Sequence, residues 1–223
     1  GLAAVHSSGR DRDSIWKGLS NKETYGTSGD RILLWFDLIQ ENQLSPMGSS
    51  VNQKTNPIFR IKAVGAFEQK PGCPDYSATN ITKEDLERIC KNECYNPSDT
   101  RKNISRIEII KITPQISKGE PIDGLIQDTW KTFDCQPSQE GCEVEFSDED
   151  FEFNARDSIY YVRAVQEPSP VVNAENLRCT YDENGDCIKV NICYGDSRTD
   201  KDDDCLSLSE ERAWSSPIYV NYK

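Results

Sequence analysis

Within eight residues, His6-Ser7-Ser8-Gly9-Arg10-Asp11-Arg12-Asp13 brings together an imidazole, two hydroxyls, two guanidinium groups and two carboxylates. Placed after a strand, such a set suits a metal ligand or substrate contact at His6, with Arg10 and Arg12 holding a phosphate. The plainer reading is a solvated loop that leads into a capped helix. A Ser-His-Asp triad has little support, because His6 is the sole histidine and no Gly-x-Ser-x-Gly elbow occurs. A second candidate is the glycine-rich stretch Thr24-Tyr25-Gly26-Thr27-Ser28-Gly29-Asp30-Arg31. Its backbone N–H groups and Arg31 could cradle an anion, yet it lacks the lysine and the spacing of a P-loop, and a tight turn is the alternative. A third is acidic. Asp182, Asn184 and Asp186, with Asp196, Asp200, Asp202, Asp203 and Asp204, offer oxygen ligands for calcium without meeting the EF-hand spacing, and such loops are commonly just solvated.

Composition limits what these groups can serve. A net charge of −12 over 223 residues argues against nucleic acid as a partner, since phosphate neutralisation needs clustered Lys and Arg. No apolar run approaches the roughly 18 to 20 residues of a membrane span, and no signal peptide is visible. Nine cysteines, several in close local pairs, fit an oxidising compartment, so a secreted or periplasmic location is expected. The lone histidine cannot complete a Cys/His zinc site. The nearest pairings are Cys135–Cys142, Cys179–Cys187, Cys193–Cys205, and Cys73 with Cys90 or Cys94, which leaves one thiol over.

The elements that must position these groups read as mainly β. Gly1 to Val5 resembles an interior strand of something larger, and the chain is read as a fragment. Asp11 or Asp13 can cap a helix with Ile15, Trp16 and Leu19 on one face. Ile32 to Leu38 suits a strand buried on both faces, and Gln40 to Asn56 an exposed loop. Strands follow at Ile58–Phe67, Asn103–Pro114, around Trp130 and Phe133, over Glu143–Glu152 and, most clearly, over Ser158–Gln166. Thr82 can cap a short helix that carries Cys90. The bond Cys135–Cys142 would close a hairpin, Asn184-Gly185 marks a turn, and residues 179–205 form a cysteine-stapled acidic insertion. Trp214 to Tyr222 closes the chain as a strand that Pro217 confines to an edge or a bulge. About seven short strands with two helices favour an antiparallel β-sandwich. Two sequons, at Asn80 and Asn103, matter only in a eukaryotic secretory host.

Three passages taken together carry a resemblance: RDSIWKGLSNKETYGTSGDRILLWFDL, then ISRIEIIKI with SIYYVRAVQEPSP, then ERAWSSPIYV. They resemble the C-terminal region of the bacterial domain-of-unknown-function family 3604, which is similar to the PHP superfamily of metal-dependent phosphoesterases. The most specific parts are ETYGTSGDRI and ERAWSSPI. The resemblance implies that residues 1–30 are the last strand and helix of a PHP-like α/β barrel and that residues 31–223 are an accessory β-sandwich. It further implies a divalent metal cluster held mainly by an upstream domain, in the same or a separate chain, with His6 the one residue here that could join it and Arg10, Arg12 or Arg31 on the phosphate.

Two functional expectations follow. One is the C-terminal piece of a secreted metal-dependent hydrolase that is not catalytically complete alone. The other is a non-catalytic, disulfide-stabilised β-sandwich that binds a partner and carries calcium in its acidic loops.

Overall fold

A computed structural model describes residues 1–40, 43–90, 94–174 and 178–223. Leu2–Val5 (β1) runs through the His6 loop into a helix, Arg12–Ser20 (α1), and returns as Thr24–Thr27 (β2). Leu33–Gln40 (β3), Gln43–Pro46 (β4), Ser50–Gln53 (β5) and Ile58–Val64 (β6) follow. A side unit of Phe67–Gln69 (β7), a helix Lys83–Cys90 (α2) and Pro97–Arg101 (β8) precedes the long strands Ile104–Ile112 (β9) and Ile126–Asp134 (β10). Then come Cys142–Ser147 (β11), a helical turn Phe151–Asn154 (α3) and Ser158–Gln166 (β12). The last part holds Ser169–Val172 (β13), Thr180–Tyr181 (β14), Cys187–Lys189 (β15), Leu206–Ser209 (β16), Arg212–Ser215 (β17) and Ile218–Tyr222 (β18).

Two sheets carry the core. The larger has eight strands and is centred on β12, which pairs with β9 along one edge, from Ile159↔Ile112 to Gln166↔Ile104. Its other edge is divided. Arg163–Val165 pair with β17, which continues to β2 and β1, while Ser158–Tyr160 pair with β18, which continues to β5. The smaller sheet runs β11-β6-β3-β4. All of these pairings are antiparallel except β18 with β5.

The inner faces of the two sheets meet in one hydrophobic cluster, to which Phe36, Phe59 and Phe146 contribute from the smaller sheet and Ile107, Tyr160 and Val162 from the larger. Phe59 stacks on Phe36 and Phe146 and tilts against Tyr160 at a centroid distance of 4.7 Å, so one ring contacts both layers. The alternation of IFRIKAV explains this: Phe59, Ile61 and Ala63 are fully buried while Ile58 and Lys62 face outward.

The last strand of the sequence reading is two strands, broken at Ser216-Pro217. The break leaves the backbone N–H of Val162 between them, and the Ser215 hydroxyl accepts it at 3.0 Å. The segment Glu143–Glu152 is likewise not one strand. It stops at Ser147, and α3 turns Phe151 inward and leaves Phe153 exposed before Ala155 ends the turn in a left-handed conformation. The stretch 40–56, expected to be an exposed loop, contributes β4 and β5 and buries Ser45, Met47 and Val51. Its polar sequence pairs with distant partners, which local patterning does not reveal.

Disulfides join Cys73–Cys94, Cys135–Cys142, Cys179–Cys187 and Cys193–Cys205. The Cys73 alternative thus resolves to Cys94, and the side chain of Cys90 lies outside the described residues. Cys135–Cys142 closes no hairpin: β10 belongs to the larger sheet and β11 to the smaller, so this bond ties the two layers together. Among the described residues no helix is long and apolar enough to cross a membrane.

The outer face of the larger sheet carries an ionic ladder. Glu108 takes hydrogen bonds from Arg106 and Arg163, and Arg106 reaches Glu210 with two more, at 2.7 and 2.8 Å. Burial works to raise the Glu108 carboxyl, but the two guanidinium groups outweigh it and hold it below the usual range. The bonds from Arg106 lower Glu210 as well. A carboxylate held low in the folded state adds stability above the unfolded value, about 4.3, and loses it as pH falls through the folded value. Stability measured by urea is therefore expected to decline below about pH 4, with a shallower decline in Glu108→Gln. Phe59→Ala is expected to lower the unfolding free energy by about 3–5 kcal/mol in the same titration.

Candidate functional site at the His6 and glycine loops

Asp11 caps α1, its carboxylate accepting the Ser14 N–H at 2.9 Å and the Ser14 hydroxyl at 2.6 Å. The helix does not bury the face read from the sequence. Trp16 and Leu19 are exposed at 68% and 47%, and the buried residue is Gly18. A Cβ at Gly18 would stand 2.3 Å from the His6 carbonyl oxygen, so the helix backbone comes down directly on the end of β1.

His6 is thereby fixed. Its backbone N–H donates to Glu23 O at 2.8 Å, and Nε2 lies 2.8 Å from Leu34 O. Because a carbonyl oxygen only accepts, Nε2 is the donor of this bond. The ring sits between Tyr25 and Trp35, at centroid distances of 5.5 and 5.8 Å. Asp37 stands close enough to feel its charge: burial pushes the Asp37 carboxyl up, and His6 and Arg60 pull it partly back. Asp37, in the alternating run LLWFDL, is the neighbour that the local reading of the His6 loop missed; it belongs to β3 of the smaller sheet, while His6 follows β1 of the larger.

The loop after β1 differs from the setting expected for it. β1 pairs antiparallel with β2 and forms the edge of the larger sheet, so the loop joins a strand to a helix on a sheet edge rather than following a parallel strand. Arg10 and Arg12 are exposed there. Arg31 lies elsewhere, its guanidinium 3.9 Å from the centroid of Tyr95, beside a pocket of about 200 Å³ that Gly29, Asp30 and Phe67 also line. Among the described residues no hydrogen bond, ion pair or ring contact links His6 with any of these arginines.

The glycine loop does surround a carboxylate, and the carboxylate is the chain's own. Glu211 accepts from the Ser28 hydroxyl and from the Asp30 N–H, at 3.4 Å in the latter case, and a Cβ at Gly29 would meet its Oε2 at 3.4 Å. Ser28 Oγ in turn accepts the Arg212 N–H at 2.8 Å. Next to it Asp30 accepts from Lys102 Nζ at 2.6 Å and from Gln166 Nε2 at 2.7 Å, while Gln166 Oε1 accepts the Ala66 N–H at 2.7 Å. Gln166 is fully buried, so this chain of bonds stitches the glycine loop to β12 and the end of β6.

The acidic side chains of the insertion are engaged locally. Asp182 accepts the N–H groups of Asn184 and Asp186 across the hairpin turn, Asp196 pairs with Arg198, Asp203 with Arg178, and Asp204 accepts the Leu206 N–H. Asp200 and Asp202 are exposed or near the rim of a shallow groove beside Cys193–Cys205. Among the described residues no three His, Cys, Asp or Glu side chains gather as a metal site would require.

Removing the carboxylate that fills the glycine loop tests its role. Glu211→Ala is expected to lower stability by about 1–3 kcal/mol, because the Ser28 hydroxyl and the Asp30 N–H lose their acceptor. Glu211→Gln, which still accepts, is expected to lose less; urea titration and amide exchange at Asp30 report both. Compared with known proteins, residues 1–38 match a family described as "Protein of unknown function (DUF3604)". No curated protein and no solved structure matches the chain. The stretch from β1 through most of β3, with the His6 and glycine loops, is therefore similar to that family.

Proposed function

We propose that this chain is a non-catalytic β-sandwich module, braced by disulfides and exported to an oxidising compartment, that serves a larger protein by binding or supporting a partner domain. One observation carries this reading: the loop best built to receive an anion is closed by Glu211 of the same chain. The His6 ring points the same way, since Nε2 is bonded to Leu34 O and the arginines expected to join it stand apart. Four disulfides support the location, because such bonds persist where thiols are not kept reduced.

The similarity of residues 1–38 to a family favours a second reading, in which the chain is the C-terminal piece of a PHP-like metal-dependent phosphoesterase. On that reading the metal ligands come mainly from an upstream domain, and His6 contributes through Nδ1. The two readings part on one assay. In protein that carries the upstream domain, hydrolysis of bis(p-nitrophenyl) phosphate with added manganese or zinc is expected to be no slower in the His6→Gln variant than in the wild type. Metal-dependent turnover that His6→Gln abolishes would overturn the non-catalytic reading and favour the second.

A further inference from the structure

The run ISRIEIIKI sends Ile107, Ile109 and then Lys111 to the same, inward side of β9. In register, Lys111 is opposite Tyr160 of β12, the largest fully buried side chain among the described residues. A lysine in that row is unusual for a core. Its partner is Asp148, which leaves β11 at the end of the smaller sheet: Nζ and Oδ2 are 2.5 Å apart, with the two side chains 6% and 0% exposed. Tyr160 donates its hydroxyl to the same Oδ2, also at 2.5 Å. The carboxyl is held from behind, where Oδ1 accepts the Asp150 N–H at 3.2 Å and the Asp148 backbone N–H donates to Pro57 O. Aromatic rings wall the site: Trp130 lies 5.0 Å and Tyr160 6.0 Å from Nζ.

An amine and a carboxyl pressed together in an apolar, water-poor enclosure, with a third group aimed at the departing oxygen, have the makings of an amide-forming site. We propose that Lys111 and Asp148 condense into an intramolecular isopeptide bond that ties the two sheets together. The ammonium passes a proton to Oδ2, giving a neutral amine and a carboxylic acid. Nζ attacks Cγ and forms the new N–C bond. A second proton moves from Nζ to Oδ2 through the Tyr160 hydroxyl, which takes one proton as it gives another. The Cγ–Oδ2 bond breaks and one water leaves; no oxidant, metal or cofactor takes part. Burial and the adjacent Asp148 push the Tyr160 phenol well above its ordinary range, which keeps it protonated as the donor this step uses. The product would join β9 to the end of β11, complementing Cys135–Cys142, which bridges the same two layers but yields to reductants.

Intact mass of the reduced, denatured chain tests this. The expected value is about 18 Da, one water, below the sequence mass, with tandem spectra of a protease digest placing the loss on a branched peptide that contains Lys111 and Asp148. Asp148→Ala and Lys111→Ala are expected at their full sequence masses. Because either variant could misfold, Tyr160→Phe is the companion: it keeps the ring in the core and is expected to accumulate the cross-link more slowly. A wild-type chain at full sequence mass after prolonged incubation overturns the proposal, as does a water loss located at any other residues.

Discussion

The structure depends on how the two edges of β12 are filled. One edge is satisfied along its length by β9, but the other is shared end to end by β17 and β18, two strands separated by only Ser216 and Pro217. A proline there removes a donor that an uninterrupted strand would need. The Ser215 hydroxyl repairs the gap by accepting the orphaned Val162 N–H, Ser216 N–H donates to Thr24 O, and Pro217 O accepts the Gly48 N–H. Each of these bonds reaches a different part of the chain. The break is therefore the junction from which β2 and β1 leave in one direction and β5 in the other.

That junction accounts for the residue types of two separated passages. Tyr25–Thr27 of ETYGTSGDRI pairs with Ala213–Ser215 of ERAWSSPI, the Thr24 and Ser216 hydroxyls meet at 2.9 Å, and Ser28 and Asp30 receive Glu211. The hydroxyls and the acid are accordingly complementary halves of one interface within the chain. A loop of glycine, serine and N–H donors looks the same in sequence whether it awaits a phosphate or a glutamate some 180 residues away. Only tertiary pairing separates the two cases.

The long strands were legible because their alternation is strong: Phe59-Ile61-Ala63 and the β-branched β9 announce which side is buried. The Asp11 cap and the Thr82 cap were legible for a similar reason, since the capping hydrogen bonds span three residues. What escaped is what depends on distant partners. β4 and β5 are too polar and short to stand out, and β5 exists because β18 offers it a parallel edge. The face of α1 was misread because its contact uses Gly18 rather than its large apolar residues; close backbone approach leaves no hydrophobic trace. Cysteine spacing named three of the bonds, left Cys73 open between Cys90 and Cys94, and misplaced one bond in space, because seven residues can close a hairpin or cross between layers equally well.

Lys111 interrupts an isoleucine run that the sequence reading took simply as a strand, and its significance follows from energetics more than from pattern. An ammonium taken out of water in a core loses hydration that one carboxylate scarcely restores, and a well-packed apolar pair often serves stability as well. The sheets already meet through Phe59, Phe146 and Tyr160, so adhesion alone does not call for a charged pair at the end of the same row. Asp148 is also over-determined for a simple counter-ion, being held by Tyr160, Asp150 and Pro57 as well as Lys111. Such precise placement of a carboxyl against an amine is what covalent joining requires and what ionic pairing does not. A module whose anion loop is closed by its own glutamate, and whose layers are bridged at one corner by a disulfide, is organised throughout around resisting separation. The Lys111–Asp148 contact occupies the position where a second bridge would act.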